Sequence, residues 1–197
     1  MELLQQLKIL KMENIIHTRS VIVATGATHN MLNVPGEAEY TGKGVSYCAT
    51  CDGAFYRGKE VAVVGGGDVA LEDALYLSNM AAKVYLIHRR DELRGAKNLQ
   101  EKVFATDNIE FIKDSVVTSV KGVDGMVSAV GVKNLKTEDM KDIAVAGVFV
   151  AIGMKPVSDF VKGFVDMDSF GYIIAGEEGI TSKEGIFVAG DVRTKNL

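Results

Sequence analysis

Hydrophobic and polar positions recur along this chain on two different periods, and the changes of period mark its elements. Glu60 to Val64 is a short apolar run that ends in three glycines; Leu71, Ala74, Leu75 and Ser78 then follow at i, i+3, i+4 and i+7, a helical stripe of apolar and small residues. Lys83 to Ile87 returns to β-branched and aromatic residues. Strand, turn, helix and strand make a βαβ unit, which predicts parallel strands and a right-handed crossover. A helix over roughly Gly95 to Phe104 and a third parallel strand over Asn108 to Ile112 extend it. From Ser115 to Leu135 the pattern alternates around Asp124-Gly125, a hairpin signal that reads as a β-meander inserted late in a dinucleotide-type fold.

Three segments resemble one another: "VIVATGAT" from Val21, "VFVAIGMK" from Val148 and "IFVAGDVR" from Ile186. Each is a buried-type strand running into glycine. The only two prolines, Pro35 and Pro156, lie a few residues beyond the first two of these strands. These places read as chain crossings between two domains: residues 34–153 form one inserted body, and the flanks, 1–33 and 154–197, pack together as a smaller one. Residues 1–10 form a weakly amphipathic lead-in with no assigned place.

Composition narrows the function more than the fold. The chain has 197 residues, 47% hydrophobic and 24% charged, enough to bury a core without staples. A formal net charge of -4 gives no overall basic surface, which argues against nucleic acid or anionic membrane as partners. The absence of any run near the ~18 apolar residues of a spanning helix, and a start carrying acids and glutamines, point to a cytoplasmic protein.

Gly65-Gly66-Gly67-Asp68-Val69-Ala70 fits G-x-G-x-x-A in the context that pattern needs, after a strand and opening a helix. Gly65 makes the tight turn, Gly67 lets backbone approach a pyrophosphate, Ala70 allows close helix packing, and the helix start faces the phosphates. Where NAD-type sites place an acid against the ribose 2′-hydroxyl, this chain has His88, Arg89 and Arg90, with Arg94 one turn later. Guanidinium groups suit a 2′-phosphate, which predicts NADPH over NADH. The alternative is a solvated charge run in which Asp91 and Glu92 pair with the arginines.

"SYCATCDGAF" holds the only two cysteines, Cys48 and Cys51, with Asp52 directly after them. Zinc wants four ligands, and His17, His29 and His88 are not at ligand spacing, so no metal is expected. So short a loop gains little as a stabilising staple. Two inert cysteines remain an alternative, but a Gly/Ser/Thr/Asp-rich loop beside an acid favours redox work. In that reading one thiolate attacks a partner disulfide, the other resolves the intermediate, and Asp52 moves a proton.

Taken together, "CATCDGAFYRGKEVAVVGGGDVALEDALYLSN" and "VYLIHRRDELRGAK" closely resemble the low-molecular-weight, bacterial-type thioredoxin reductase family. "ATGA" at Ala24, "VAGVFVAIGMKP" at Val145 and "GIFVAGDVR" at Gly185 match its domain-crossing and flavin-side motifs, so the resemblance runs from about Ile22 to the end. It implies an α/β, FAD/NAD(P)-binding two-domain disulfide reductase fold: a three-layer ββα Rossmann-like domain with an inserted β-meander, and a second, FAD-binding domain. It also implies electron flow from NADPH through FAD to the cysteine pair and on to thioredoxin or a similar small disulfide protein, in a homodimer. By the match, Cys51 is nearer the flavin, Cys48 attacks thioredoxin and Asp52 is the acid/base. Ile152 and Gly153 fall on the NADPH side; Thr25, Gly26, Gly190 and Asp191 fall on the FAD side, Asp191 at the ribitol, with Gly26 and Gly153 as hinges. The family's opening G-x-G-x-x-G unit and its closing helix have no match here, so the FAD domain is expected to be incomplete. A non-catalytic NADPH-binding module, or a related flavoprotein with another disulfide partner or electron donor, are the other readings.

Overall fold

A computed structural model describes residues 5–8 and 15–195 of the chain. It separates into two compact units, Met1–Thr28 with Met154–Leu197, and His29–Gly153.

In the first unit, β1 (Gln5–Lys8) pairs antiparallel with β2 (Ile15–Thr18). Of the lead-in at residues 1–10, only β1 lies within the described residues. Next come β3 (Val21–Val23) and β4 (Ala27–His29), before the chain leaves for the second unit. The break falls after Thr28 rather than after residue 33, because Leu32 and Val34 already pack on the core of the second unit. There the buried Glu37 accepts the backbone N–H of Leu32 at 2.8 Å and of Asn33 at 2.6 Å.

The second unit then runs α1 (Glu37–Tyr40), β5 (Val45–Ser46), α2 (Ala49–Asp52), β6 (Glu60–Val64), α3 (Asp68–Ser78), β7 (Lys83–Ile87), α4 (Lys97–Phe104) and β8 (Ile109–Ile112). A meander of β9 (Ser115–Val123), β10 (Met126–Asn134) and β11 (Met140–Ala144) precedes β12 (Gly147–Val150). The chain returns to the first unit through β13 (Met154–Pro156), which pairs with β4, and later β14 (Ile186–Val188), parallel to β3. Val23, Val165, Ile173, Ile186, Val188 and Val192 form the core of the first unit.

Five parallel strands in the order β5-β12-β6-β7-β8 make the central sheet of the second unit. Side chains alternate across each strand, so one face presents Ala62, Val64, Ile87, Val148 and Val150 to the meander residues Val120, Val130 and Ile143. The other face presents Val61, Val63, Val84, Leu86 and Phe149 to Ala70, Leu71, Ala74 and Leu77 of α3. Burial on both faces explains why these strands read as unbroken apolar runs. The result is the expected three-layer ββα arrangement. At the β9–β10 turn, Asp124 (φ 52°) and Gly125 (φ 78°) take the two positive dihedrals a tight hairpin demands.

One buried position and two element starts differ from the sequence pattern. On α3, Leu77 is buried where the stripe pointed to Ser78; the Ser78 hydroxyl instead donates to the Leu75 carbonyl at 2.7 Å. Helix α4 starts at Lys97, because the N–H groups of Arg94 and Gly95 are spent on the Gly66 carbonyl and that of Ala96 on the Asp68 carboxylate. Strand β8 starts at Ile109; the Asn108 carbonyl still accepts the Val84 N–H at 2.9 Å, while its side chain donates to the carbonyls of Ser78 and Ala81 in the turn between α3 and β7.

Candidate active site

The strand order of the central sheet reverses at β6. From there the chain builds outward to β7 and β8, and later returns to place β12 on the opposite side. Ligands of open parallel sheets bind at the carboxyl ends of strands at such a switch point. Gly65 to Gly67 follow β6 at this end, and Ile152 and Gly153 follow β12.

Each glycine of the loop has its own reason. Gly65 has φ 155°, and a Cβ there would lie 2.3 Å from the Ala151 carbonyl oxygen and 2.7 Å from the Ala70 Cβ. Gly65→Ala should therefore lower unfolding stability by about 2–4 kcal/mol, read as a reduced urea midpoint with an unchanged slope. A Cβ on Gly66 would run into the His88 ring at 2.5 Å. Gly67 has nothing within 4 Å of its missing Cβ, so its backbone is open to an approaching ligand at the start of α3. Asp68 turns away from that space and accepts the Ala96 N–H at 2.7 Å; Val69 is exposed and Ala70 is buried against the sheet.

The loop after β7 closes against these glycines. Arg94 donates its backbone N–H to the Gly66 carbonyl at 2.6 Å, and His88 is buried behind Gly66. Burial first, then the positive charges of Arg94, Arg89 and Arg90, hold the His88 pKa below its ordinary value, so the ring is neutral near pH 7. Its Nε2 is buried and has no hydrogen-bond partner among the described residues. Arg89, Arg90 and Arg94 are exposed. The alternative, pairing of neighbouring acids with the arginines, is not seen among the described residues: Asp91 bonds to Lys136 Nζ at 2.9 Å, and no described carboxylate forms an ion pair with the three arginines. An open glycine backbone, an orphaned imidazole nitrogen and uncommitted guanidinium groups fit a phosphorylated dinucleotide.

Cys48 and Cys51 are joined as a disulfide, with Cα atoms 5.3 Å apart. Cys48 caps the single turn of α2, and the Cys51 N–H points at its sulfur, 3.2 Å away. Such a donor favours thiolate over thiol. Cys48 is half-buried and Cys51 exposed. The Asp52 carboxylate is held by the Ser46 hydroxyl at 2.6 Å, and Ser46 Oγ in turn accepts the Cys48 N–H at 3.1 Å. Ser46 sits buried on β5, and nothing in the local sequence marks it for this position. Helix α2 packs along α3 near the end of that helix, where Gly53 meets Tyr76 and Leu77. Ser46 lies beside Phe149 and so level with Val63, which brings the cysteine turn off the sheet at the same carboxyl end as the glycine loop before the chain runs back along α3. On α3 itself, burial and, second, the neighbouring Glu72 push the Asp73 carboxyl up to about 6.

In the first unit, β3 and β14 run parallel, so Thr25 and Gly26 emerge at the same end as Gly190 and Asp191. Thr25 donates its hydroxyl to the Val157 carbonyl, and Gly26 accepts the Val157 N–H at 2.9 Å. Gly26 (φ 69°) and Gly190 (φ 76°) have nothing within 4 Å of a missing Cβ, so both backbones are open to a ligand. Lys195 pairs with Asp191 and holds its carboxyl below the usual range. These residues fit one border of a flavin-binding surface.

The chain matches the pyridine nucleotide-disulphide oxidoreductase family over residues 3–197. It is 46% identical to a thioredoxin reductase of Peptoclostridium acidaminophilum over 199 aligned positions, covering 98% of this chain and 63% of that protein. Among solved structures, the thioredoxin reductases of Lactococcus lactis (44% identity, TM-score 0.81, 94% of this chain and 61% of that one) and Streptococcus pyogenes (49%, 0.80, 95% and 61%) share its fold. The chain therefore spans about three-fifths of the length of these relatives.

Proposed function

Because the chain belongs to the pyridine nucleotide-disulphide oxidoreductase family, we propose that it serves NADPH-dependent reduction of the Cys48–Cys51 disulfide, which then reduces a small disulfide protein of the thioredoxin type. The observation that carries this reading is the disulfide itself, set on a surface turn beside Asp52 in the same compact unit as the glycine loop and its uncommitted arginines.

The glycine loop and the start of α3 receive the pyrophosphate, while Arg89 and Arg90 receive the 2′-phosphate and select NADPH. His88, neutral and with a free Nε2, adds a hydrogen-bonding atom without a competing charge. FAD, when bound, supplies a two-electron relay between a reduced nicotinamide and a disulfide, and Thr25, Gly26, Gly190 and Asp191 are the candidates to hold it.

The cysteine chemistry follows from the turn. Two electrons break the Cys48–Cys51 bond and leave two thiolates, one of which takes a proton from water, passed on through the Asp52 carboxylate. The Cys51 N–H favours Cys48 as the outgoing thiolate. Cys48 attacks the partner disulfide, forming a mixed disulfide and expelling one partner thiolate. Cys51 then attacks Cys48 Sγ, which restores the internal disulfide and releases the second partner thiolate, with protons returned through Asp52 and water. Ser46 keeps the Asp52 carboxylate within reach of both steps.

Cys51→Ser separates this scheme from an inert pair. Mixed with oxidised thioredoxin, the reduced variant should accumulate a covalent, reductant-reversible adduct through Cys48, visible on a non-reducing gel. Absence of the adduct would exclude thioredoxin as the partner of Cys48.

A further inference from the structure

The turn between β10 and β11 reaches the arginine-bearing loop after β7. Lys136 Nζ on this turn bonds to Asp91 at 2.9 Å and to Asp114 at 3.0 Å. The three residues form one charge cluster on three loops, although Lys136 and Asp91 are 45 positions apart in sequence.

This lysine is placed by its surroundings. Asn134 Oδ1 accepts the backbone N–H groups of Lys136 and Thr137 at 2.9 and 3.0 Å, fixing the start of the turn. Leu135 donates its N–H to the Asp114 carbonyl at 2.6 Å, which docks the turn on the segment after β8. That segment holds the arginine loop from behind: Asp114 donates its N–H to the Arg90 carbonyl at 3.1 Å, and Ser115 donates to the His88 carbonyl at 2.9 Å. Asp114 is itself buried and in the left-handed region (φ 51°). Backbone and charge therefore converge on residues 88–91 from one side.

We propose that Lys136 is a positioning residue for 2′-phosphate recognition: it engages the Asp91 carboxylate, so that Arg89 and Arg90 stay open to the phosphate instead of pairing with their own neighbour. The inference rests on the reading of Arg89 and Arg90 as the 2′-phosphate site. An unheld carboxylate next to those arginines would both repel the phosphate and compete for the same donors. The Asp91 carboxyl is indeed kept below the usual carboxylate range, chiefly by its hydrogen bond from Lys136.

Calorimetric titration of the full chain with adenosine 2′,5′-bisphosphate and with ADP tests this without flavin. The unmodified chain should prefer the 2′-phosphorylated ligand. Lys136→Ala should reduce that preference by roughly three- to tenfold, with ADP affinity unchanged. Adding Asp91→Asn to Lys136→Ala should restore it, and Lys136→Arg should retain it. An unchanged preference in Lys136→Ala would overturn the proposal, and so would an equal loss for both ligands. A loss that Asp91→Asn does not rescue would mean that Lys136 touches the phosphate directly, which also overturns it. If the unmodified chain shows no preference, the arginine reading itself falls and takes this inference with it.

Discussion

Replacing Arg89 and Arg90 together by alanine is expected to weaken NADPH binding about 100-fold, while NADH binding changes by no more than about twofold. Each guanidinium can give a charge-assisted hydrogen bond to a 2′-phosphate, contributing roughly 1.5–3 kcal/mol; the low end applies at two exposed side chains, and two such losses give the factor stated. The discrimination arises because, among the described residues, neither arginine has an ion pair to break before it meets the ligand. NADH lacks the phosphate and has little to lose. Parallel calorimetric titrations of the double variant with both nucleotides provide the check, and an equal loss for the two would assign the arginines to general loop structure.

Cys48→Ser should lower disulfide reduction by at least about a thousandfold and leave NADPH affinity untouched. The first part follows because the serine hydroxyl is a far weaker nucleophile and cannot form the internal disulfide. The second follows because the glycine loop is held by its own backbone bonds, the Gly65 N–H to the Ile87 carbonyl and the Arg94 N–H to the Gly66 carbonyl, neither of which involves the cysteine turn. Nucleotide titration alongside reduction of a chromogenic disulfide reads both quantities. Loss of nucleotide binding together with turnover would make the pair a structural clip.

Much of the second unit was legible in sequence because its strands are buried on both faces and its turns need glycine. Val61 to Val64 and the three following glycines mark strand, tight turn and helix start in one short stretch, although the contacts that require glycine there, with Ala151 and His88, come from elsewhere in the chain. Asp124-Gly125 specifies the hairpin through the dihedrals it permits. What stayed hidden depends on contacts between distant segments. The sequence left open a pairing of Asp91 with Arg89 and Arg90, and the docking of the β10–β11 turn gives Asp91 Lys136 instead. The crossing after Thr28 was obscured for a similar reason: Pro35 is the visible marker, yet Leu32 and Asn33 are already tied to Glu37.

Counting thiols after anaerobic incubation of the full chain with NADPH and added FAD tests most directly whether nicotinamide electrons reach the Cys48–Cys51 pair. The expected result is two new free thiols per chain, appearing faster with NADPH than with NADH. No new thiols, with NADPH nevertheless bound, would contradict the reductase reading and leave a nucleotide-binding module.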